Sequence, residues 1–310
     1  MLKSIMVSAV VGLVAVTGLF AQTAKEKAPA NKESKKAGAP AKPGKEKEPQ
    51  WHLALQAWTY NQLTLFETID KAKLVGVKYL EAFPGQKLSP EHNNVGFDEN
   101  LPAADRKLVK EKLKKDGIKL VNYGVCNLGE TEQSARKVFD FAKDMGIHTI
   151  VAEPDEKLMD VLDKLTKEYD INVAIHNHPK QSHSHYWNPD IILAAVKGHS
   201  KRIGACADTG HWVRSGLDPV ECLKKLDGRI ISLHFKDLNE KGENGHDVPY
   251  GTGISNVKAM LAELQRQGFS GVFSIEYEYH EDNPTPEVEK CVKAFHEMAK
   301  ELGAKGMARK

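Results

Sequence analysis

From Trp51 onward the chain alternates between two textures. Short runs rich in β-branched and other apolar residues are followed by charged stretches in which apolar residues recur every three or four positions. The first texture suits strands buried on both faces, the second amphipathic helices. The apolar runs fall at 53–60, 77–83, 118–125, 147–154, 171–178, 203–210, 229–237 and 271–279. Helical stretches are expected at about 63–75, 103–116, 131–145, 158–169, 189–197, 218–227, 255–267 and 285–302. Five junctions, "LVGVKYL", "KKDGIKLV", "DMGIHTI", "KLDGRIISL" and "RQGFSGVFSI", put a glycine where a helix stops and a strand begins. That is the position at which a left-handed helix cap is needed.

Eight such strand–helix pairs predict an α/β fold, a single (β/α)8 TIM barrel. The 260 residues from 51 to 310 match the length of about 250 usual for one barrel. An open doubly wound sheet shares the alternation but announces itself by a glycine-rich turn after its first strand. Here the first strand runs into "AWTYNQL", which has no glycine, so no nucleotide cofactor is expected.

The first fifty residues read differently. "MLKSIMVSAVVGLVAVTGLFAQ" has one lysine, an apolar run and a small residue at Ala21, the layout of a secretory signal peptide over 1–21. A membrane anchor is the competing reading of the uncharged run. The small residues and the Ala21–Gln22 junction favour cleavage, so a periplasmic or secreted protein without stable membrane insertion is expected. Residues 22–50 are rich in Lys, Ala, Pro and Glu, and alanine supplies their only aliphatic side chains. Such a segment cannot offset its ordering entropy and is expected to be a disordered linker. The chain is +2 overall; the linker alone contributes +4 and Lys3 adds one, so residues 51–310 are near −3. A mildly acidic barrel does not suit a nucleic-acid partner that relies on phosphate neutralisation. Cys126, Cys206, Cys222 and Cys291 are widely spaced with no C-x-x-C pair, so buried free thiols are expected rather than a disulfide framework.

In barrels of this kind the chemistry gathers at the C-terminal ends of the strands. Those ends carry Trp58 and Tyr60, Glu81, Tyr123 and Cys126, Glu153, and His176 and His178. They continue with Asp208 and His211, His234 and Lys236, and Glu276 and Glu278. Strand alternation puts His176 with His178, His234 with Lys236, and Glu276 with Glu278 on common faces. A set of Asp, Glu and His donors suits Mn²⁺, Mg²⁺, Co²⁺, Fe²⁺ or Zn²⁺. Cys206 shares the parity of Asp208 one layer deeper and reads as barrel core. Within "IHNHPKQSHSH" (175–185), His183 and His185 fall in the loop beyond Pro179.

The order "AEP", "HNH", "DTGH", "HFKD", "IEYE" on successive strands resembles the sugar isomerase/epimerase family of xylose-isomerase-like barrels. That group includes D-tagatose 3-epimerase, hydroxypyruvate isomerase and inosose dehydratase, with endonuclease IV as a distant relative. The likeness covers about residues 52–302, and "ADTGHW", "RIISLHFKDL", "GTG" and "GFSGVFSIEYE" are its specific parts. It implies a divalent metal held by Asp208, His234 and Glu276. Many members place a glutamate where His176 stands; here Glu153 is the expected fourth ligand, with His176 as the alternative. The implied chemistry is proton abstraction beside a carbonyl through an enediolate. Glu276 and Glu153 are the expected acid–base groups. His211 would bind a substrate hydroxyl or shuttle a proton, and Lys236 would steady the oxyanion. His176, His178, Trp58, Trp212 and Glu81 are expected to contact a small carbohydrate substrate. An endonuclease IV-like phosphodiesterase and a non-catalytic sugar-binding barrel are the alternatives. The first needs more metal ligands and a basic surface; the second does not need so many titratable groups.

Overall fold

The computed structural model describes residues 50–304 apart from Asn93 and Glu281. The expected signal peptide, the linker up to Glu48 and Pro49, and residues 305–310 lie outside the described residues. The strands are β1 (Trp51–Gln56), β2 (Tyr79–Ala82), β3 (Lys119–Cys126), β4 (Thr149–Ala152), β5 (Asn172–His176), β6 (Ile203–Asp208), β7 (Ile230–Phe235) and β8 (Gly271–Ile275). They pair in parallel in chain order, and β8 closes on β1 through Trp51↔Gly271 to Leu55↔Ile275. The expected (β/α)8 barrel is therefore the fold.

The helices are α1 (Leu65–Leu74), α2 (Ala103–Asp116), α3 (Glu132–Met145), α4 (Met159–Tyr169) and α5 (Pro189–Ala195). They continue with α6 (Thr209–Arg214), α7 (Pro219–Lys225), α8 (Val257–Arg266) and α9 (Thr285–Glu301). Helix starts follow local chemistry: Thr64 and Thr131 form capping boxes, and Asn188 and Asp218 cap helices that open with proline. The five junction glycines, Gly76, Gly117, Gly146, Gly228 and Gly268, all have φ between +66° and +81°. In that region a Cβ costs about 1–2 kcal/mol.

Seven of the eight strands stop earlier than their apolar runs suggest, and β3 runs one residue further, to Cys126. After Gln56 the chain tightens into a 3-10 turn over Ala57–Tyr60, because Gln56 Oε1 accepts from the Trp58 amide at 2.8 Å. After Asp208 the chain enters α6 at once, and this helix was not expected. Two short antiparallel hairpins also decorate the strand-end loops, Gln86–Lys87 with Gly96–Phe97 and Asp237–Leu238 with Asp247–Val248.

Most of the core lies between the barrel and its helices. Val151, Ala174 and Cys206, with Val125 and Ile231 against them, form a separate apolar cluster. Cys206 thus takes the core role its parity suggested. All four cysteines are buried and unpaired.

Candidate active site

The ends of β5 to β8 bring His176, Asp208, His234 and Glu276 into one buried group whose donor atoms all lie within 4.8 Å of one another. The register explains the meeting. Asp208 pairs with His234, and His234 pairs with Ser274, two residues below Glu276. Asp208 Oδ2 is 3.6 Å from His176 Nε2 and 3.9 Å from His234 Nδ1, and His234 Nδ1 is 3.0 Å from Glu276 Oε2. Tetrahedral ligand atoms about 2.1 Å from a common centre stand about 3.4 Å apart. All four atoms are buried and none makes a well-formed hydrogen bond among the described residues, although the two carboxylate oxygens lie within ion-pair distance of Lys236. Buried polar atoms are seldom left so, and four converging on one point fit a divalent cation held by nitrogen and oxygen donors.

Three of the four, His234, Asp208 and His176, are fixed from behind. His234 turns Nε2 to Glu81 Oε1 at 2.8 Å. Glu81 is itself held by Ser274 Oγ at 2.6 Å and Asn122 Nδ2 at 3.1 Å. Such a carboxylate–imidazole pair sets the ring's tautomer and aims the other nitrogen inward. Asp208 Oδ1 caps α6 by accepting from the His211 amide at 2.7 Å, which leaves Oδ2 for the group. Asn177, the middle residue of "HNH", clamps the Asp208 backbone in both directions at 2.9 and 3.0 Å. His176 Nδ1 faces Glu153 Oε1 at 3.4 Å. Glu153 also accepts from Ser184 Oγ at 2.7 Å and pairs closely with His178 Nδ1.

Glu153, the expected fourth ligand, thus stands behind His176 in a group of its own with His176 and His178, while His176 occupies the quartet. Ala152 pairs with Ile175, so Glu153 is level with His176 but one strand further from Asp208.

A second layer surrounds Lys236, which is fully buried. Its Nζ lies 3.0 Å from Asp208 Oδ2, 2.7 Å from Glu276 Oε2 and 2.6 Å from Glu278 Oε2. "DTGH" needs its glycine for this approach, because a Cβ on Gly210 would sit 2.9 Å from Lys236 Cβ and 2.8 Å from Cδ. Arg214, at the end of α6, reaches Asp247 Oδ2 and Glu278 Oε2, both at 3.1 Å. Burial opposes charge on Asp208, but His211 and Lys236 hold it well below the ordinary carboxylate value. Burial likewise opposes charge on Glu276, and His234 and Lys236 more than offset it. Lys236 goes well above its usual value against burial, because Asp208, Glu276 and Glu278 surround it. Burial, with Lys236 and His176 nearby, pushes His211 well below the usual imidazole value. Asp247 is pushed up to about 6, chiefly by burial.

The quartet opens into a pocket of about 390 Å³. One wall is Trp58, Phe83, Pro84 and Val125; the other is His176, His178, His211, Glu276 and Glu278, with Gln56 and Gly124 completing it. Trp58 is 43% exposed and packs edge-on against Phe83 at 5.0 Å. Two residues expected to touch substrate do not line the pocket. Glu81 is fully buried, its oxygens turned to His234, Ser274 and Asn122. Trp212 is fully buried in the core. His183 and His185 are exposed, and His185 pairs with Glu156 at 2.7 Å. Sequence reasoning missed Phe83, Asn177, Arg214 and Asp237. The i, i+3, i+6 spacing of Asp208, His211 and Arg214 marks one helix face and was the available signal for Arg214. Asp237 accepts the backbone N–H groups of Gly251, Gly253 and Ser255 at 2.8, 2.9 and 3.0 Å. The "YGTG" turn is therefore occupied from within.

Comparison with known proteins places these features in a family. A crystal structure from Parabacteroides distasonis is 37% identical, covers 80% of this chain and 98% of its own, and superposes with a TM-score of 0.65. The IolI protein, crystallised with a bound zinc atom, is 19% identical over 81% of this chain and 99% of its own, with a TM-score of 0.58. Inosose dehydratase of Lacticaseibacillus casei is 27% identical over 92 residues, 25% of this chain and 31% of that enzyme. The chain spans only 39% and 31% of the length of the curated relatives it matches. The model of the xylose isomerase-like TIM barrel family matches residues 69–302, and the chain belongs to that family.

Proposed function

We propose that this chain is an exported, divalent-metal-dependent sugar isomerase or epimerase, or a related lyase. Its substrate in this reading is an uncharged keto-sugar, oxidised glycoside or polyol, and the reaction runs through an enediolate-type intermediate. The observation that carries the reading is the convergence of four buried donor atoms, none of them in a well-formed hydrogen bond, at a pocket with one aromatic wall. His176, Asp208, His234 and Glu276 hold the metal, of the Mn, Mg, Co, Fe or Zn class, and Glu153 does not. When bound, the cation supplies Lewis acidity toward a carbonyl and its neighbouring hydroxyl. The zinc in the IolI structure supports a metal here, and the inosose dehydratase match supports chemistry beside a carbonyl.

The chain's own residues supply the proton traffic. Glu276, kept ionised by His234 and Lys236, lines the pocket and takes the proton. His178 also lines the pocket with Nδ1 turned to Glu153, so Nε2 is available to return the proton or protonate a leaving group. Lys236 is too deep to touch substrate and acts by holding Asp208, Glu276 and Glu278 in place. Trp58 and Phe83 face the apolar side of a sugar ring. Among the described residues the pocket lining contains no lysine or arginine and includes two carboxylates, Glu276 and Glu278. With the "YGTG" amides turned to Asp237 as well, these observations favour an uncharged substrate over a phosphorylated one. Export rests on the character of residues 1–21, and cell fractionation tests it.

The deciding experiment loads the purified chain with each metal. It then incubates the protein with ketoses, inososes and 3-keto-glycosides in D₂O and follows the sugars by NMR. Deuterium entering at a carbon beside the carbonyl is the expected result. Metal and sugar both bound with no exchange on any member would leave the sugar-binding reading in its place.

A further inference from the structure

His211 was expected either to bind a substrate hydroxyl or to shuttle a proton. Its neighbour Arg214 decides between these. The Arg214 side chain is 13% exposed, and every nitrogen of its guanidinium is engaged. Nε donates to Gly245 O at 3.0 Å, Nη2 to Asp247 Oδ2 at 3.1 Å and Nη1 to Glu278 Oε2 at 3.1 Å. Nη1 also meets His211 Nδ1 at 3.1 Å. The backbone N–H of Glu278 donates to the same Asp247 oxygen at 3.1 Å, which ties the two anchoring carboxylates together. Arg214 thus has a fixed direction.

A guanidinium has only hydrogens to offer. In its contact with His211 the ring nitrogen must be the acceptor, so Nδ1 carries no hydrogen. The hydrogen of the neutral ring then belongs to Nε2. Nε2 stands 3.5 Å from Asp208 Oδ2, and His211 lines the pocket. We infer that Arg214 is a positioning residue that holds His211 as a neutral Nε2–H donor, aimed at a substrate oxygen beside the quartet. A base working at Nε2 needs a lone pair there, and that lone pair requires the hydrogen on Nδ1, where the guanidinium sits. His211 therefore polarises or orients an oxygen and carries no proton between sites, which leaves proton transfer to Glu276 and the His178–Glu153 pair. The role toward substrate rests on the proposed function; the ring's tautomer does not.

The test is a long-range ¹H–¹⁵N correlation spectrum of the full chain labelled at histidine, without metal or substrate, with the His211 signal assigned by its loss in His211→Gln. The expected result is hydrogen on Nε2 in the wild-type protein. In Arg214→Met the population shifts toward Nδ1–H, and Arg214→Lys, which keeps one donor, restores Nε2–H at least in part. Hydrogen on Nδ1 in the wild-type chain, or an unchanged tautomer in folded Arg214→Met, overturns the inference. Should Arg214→Met not fold, the wild-type and Arg214→Lys spectra decide it. Failure of every sugar to exchange would count against the proposed function and leave this spectrum untouched, so the two failures are distinguishable.

Discussion

Glu81 is the support on which His234 turns, and replacing it tests the centre without touching a ligand. Its Oε1 accepts from His234 Nε2 at 2.8 Å and lies 3.5 Å from Gln56 Nε2. Its Oε2 accepts from Ser274 Oγ at 2.6 Å and Asn122 Nδ2 at 3.1 Å. Glutamine keeps the shape but has one acceptor oxygen. If that oxygen serves His234, the new NH₂ meets the Asn122 NH₂, and only Ser274 can turn to accept. Losing one hydrogen bond to a buried charge costs about 1.5–3 kcal/mol. We expect Glu81→Gln to lower the unfolding free energy of the metal-free protein by about 2 kcal/mol. Imidazole ligands that lose their supporting carboxylate bind metal roughly 10- to 100-fold more weakly. Urea unfolding reads the first effect, and cobalt or zinc titration against a competing chelator reads the second. A Glu81→Gln protein with stability within about 0.5 kcal/mol of wild type and metal affinity within about twofold would refute the support role.

The remaining predictions are shorter. His176→Ala is expected to weaken metal binding by more than roughly 100-fold and Glu153→Ala by roughly tenfold, measured by the same titration; the reverse order would return Glu153 to the quartet. Trp58→Ala removes the exposed ring of the aromatic wall and is expected to raise KM roughly fivefold, about 1 kcal/mol of apolar contact, with kcat little changed in steady-state kinetics. Asp163 accepts from the Ser200 amide at 2.8 Å and from Lys167 Nζ at 2.6 Å. Although burial opposes it, these bonds lower its pKa from 3.8 to about 2. Because the folded value is depressed, the stabilisation is complete above pH about 4 and is lost as pH falls through about 2. Asp163→Asn should therefore cost about 1–2 kcal/mol at pH 7 and little at the acid end. Urea melts across that window check this, and a gap that does not narrow refutes it.

The barrel was legible because its punctuation is local. Five glycines in the left-handed region and eight apolar runs carry the fold without any long-range information. Helix α6 was not legible, because it begins on the residue after β6 and has no linker to mark it. The strands that form the candidate centre were legible from their terminal residues, but whether Glu153 or His176 stands in the quartet was not. Both sit at the same level on neighbouring strands, and only the closed register shows which is nearer to Asp208. Glu81 and Trp212, expected at the substrate, stand away from the pocket for a related reason. Parity tells which face a side chain takes, whereas depth within that face decides whether it meets substrate or supports a residue that does. Arg214 and Asp237 act across loops, and their partners at Asp247, Glu278 and residues 251–255 lie beyond any local pattern.

Asp208 divides its carboxylate between two duties, Oδ1 at the start of α6 and Oδ2 in the quartet. For anyone wishing to redesign the candidate centre for a chosen metal, this removes the most obvious position from choice. Asparagine keeps the cap oxygen and surrenders the charged donor. Glutamate keeps the charge but adds a methylene, which carries the carboxylate away from the amide of residue 211. Either exchange also loosens the helix that presents His211 and Arg214. Retuning is better sought at His176 and at its backing carboxylate Glu153, the part of the centre that starts no helix.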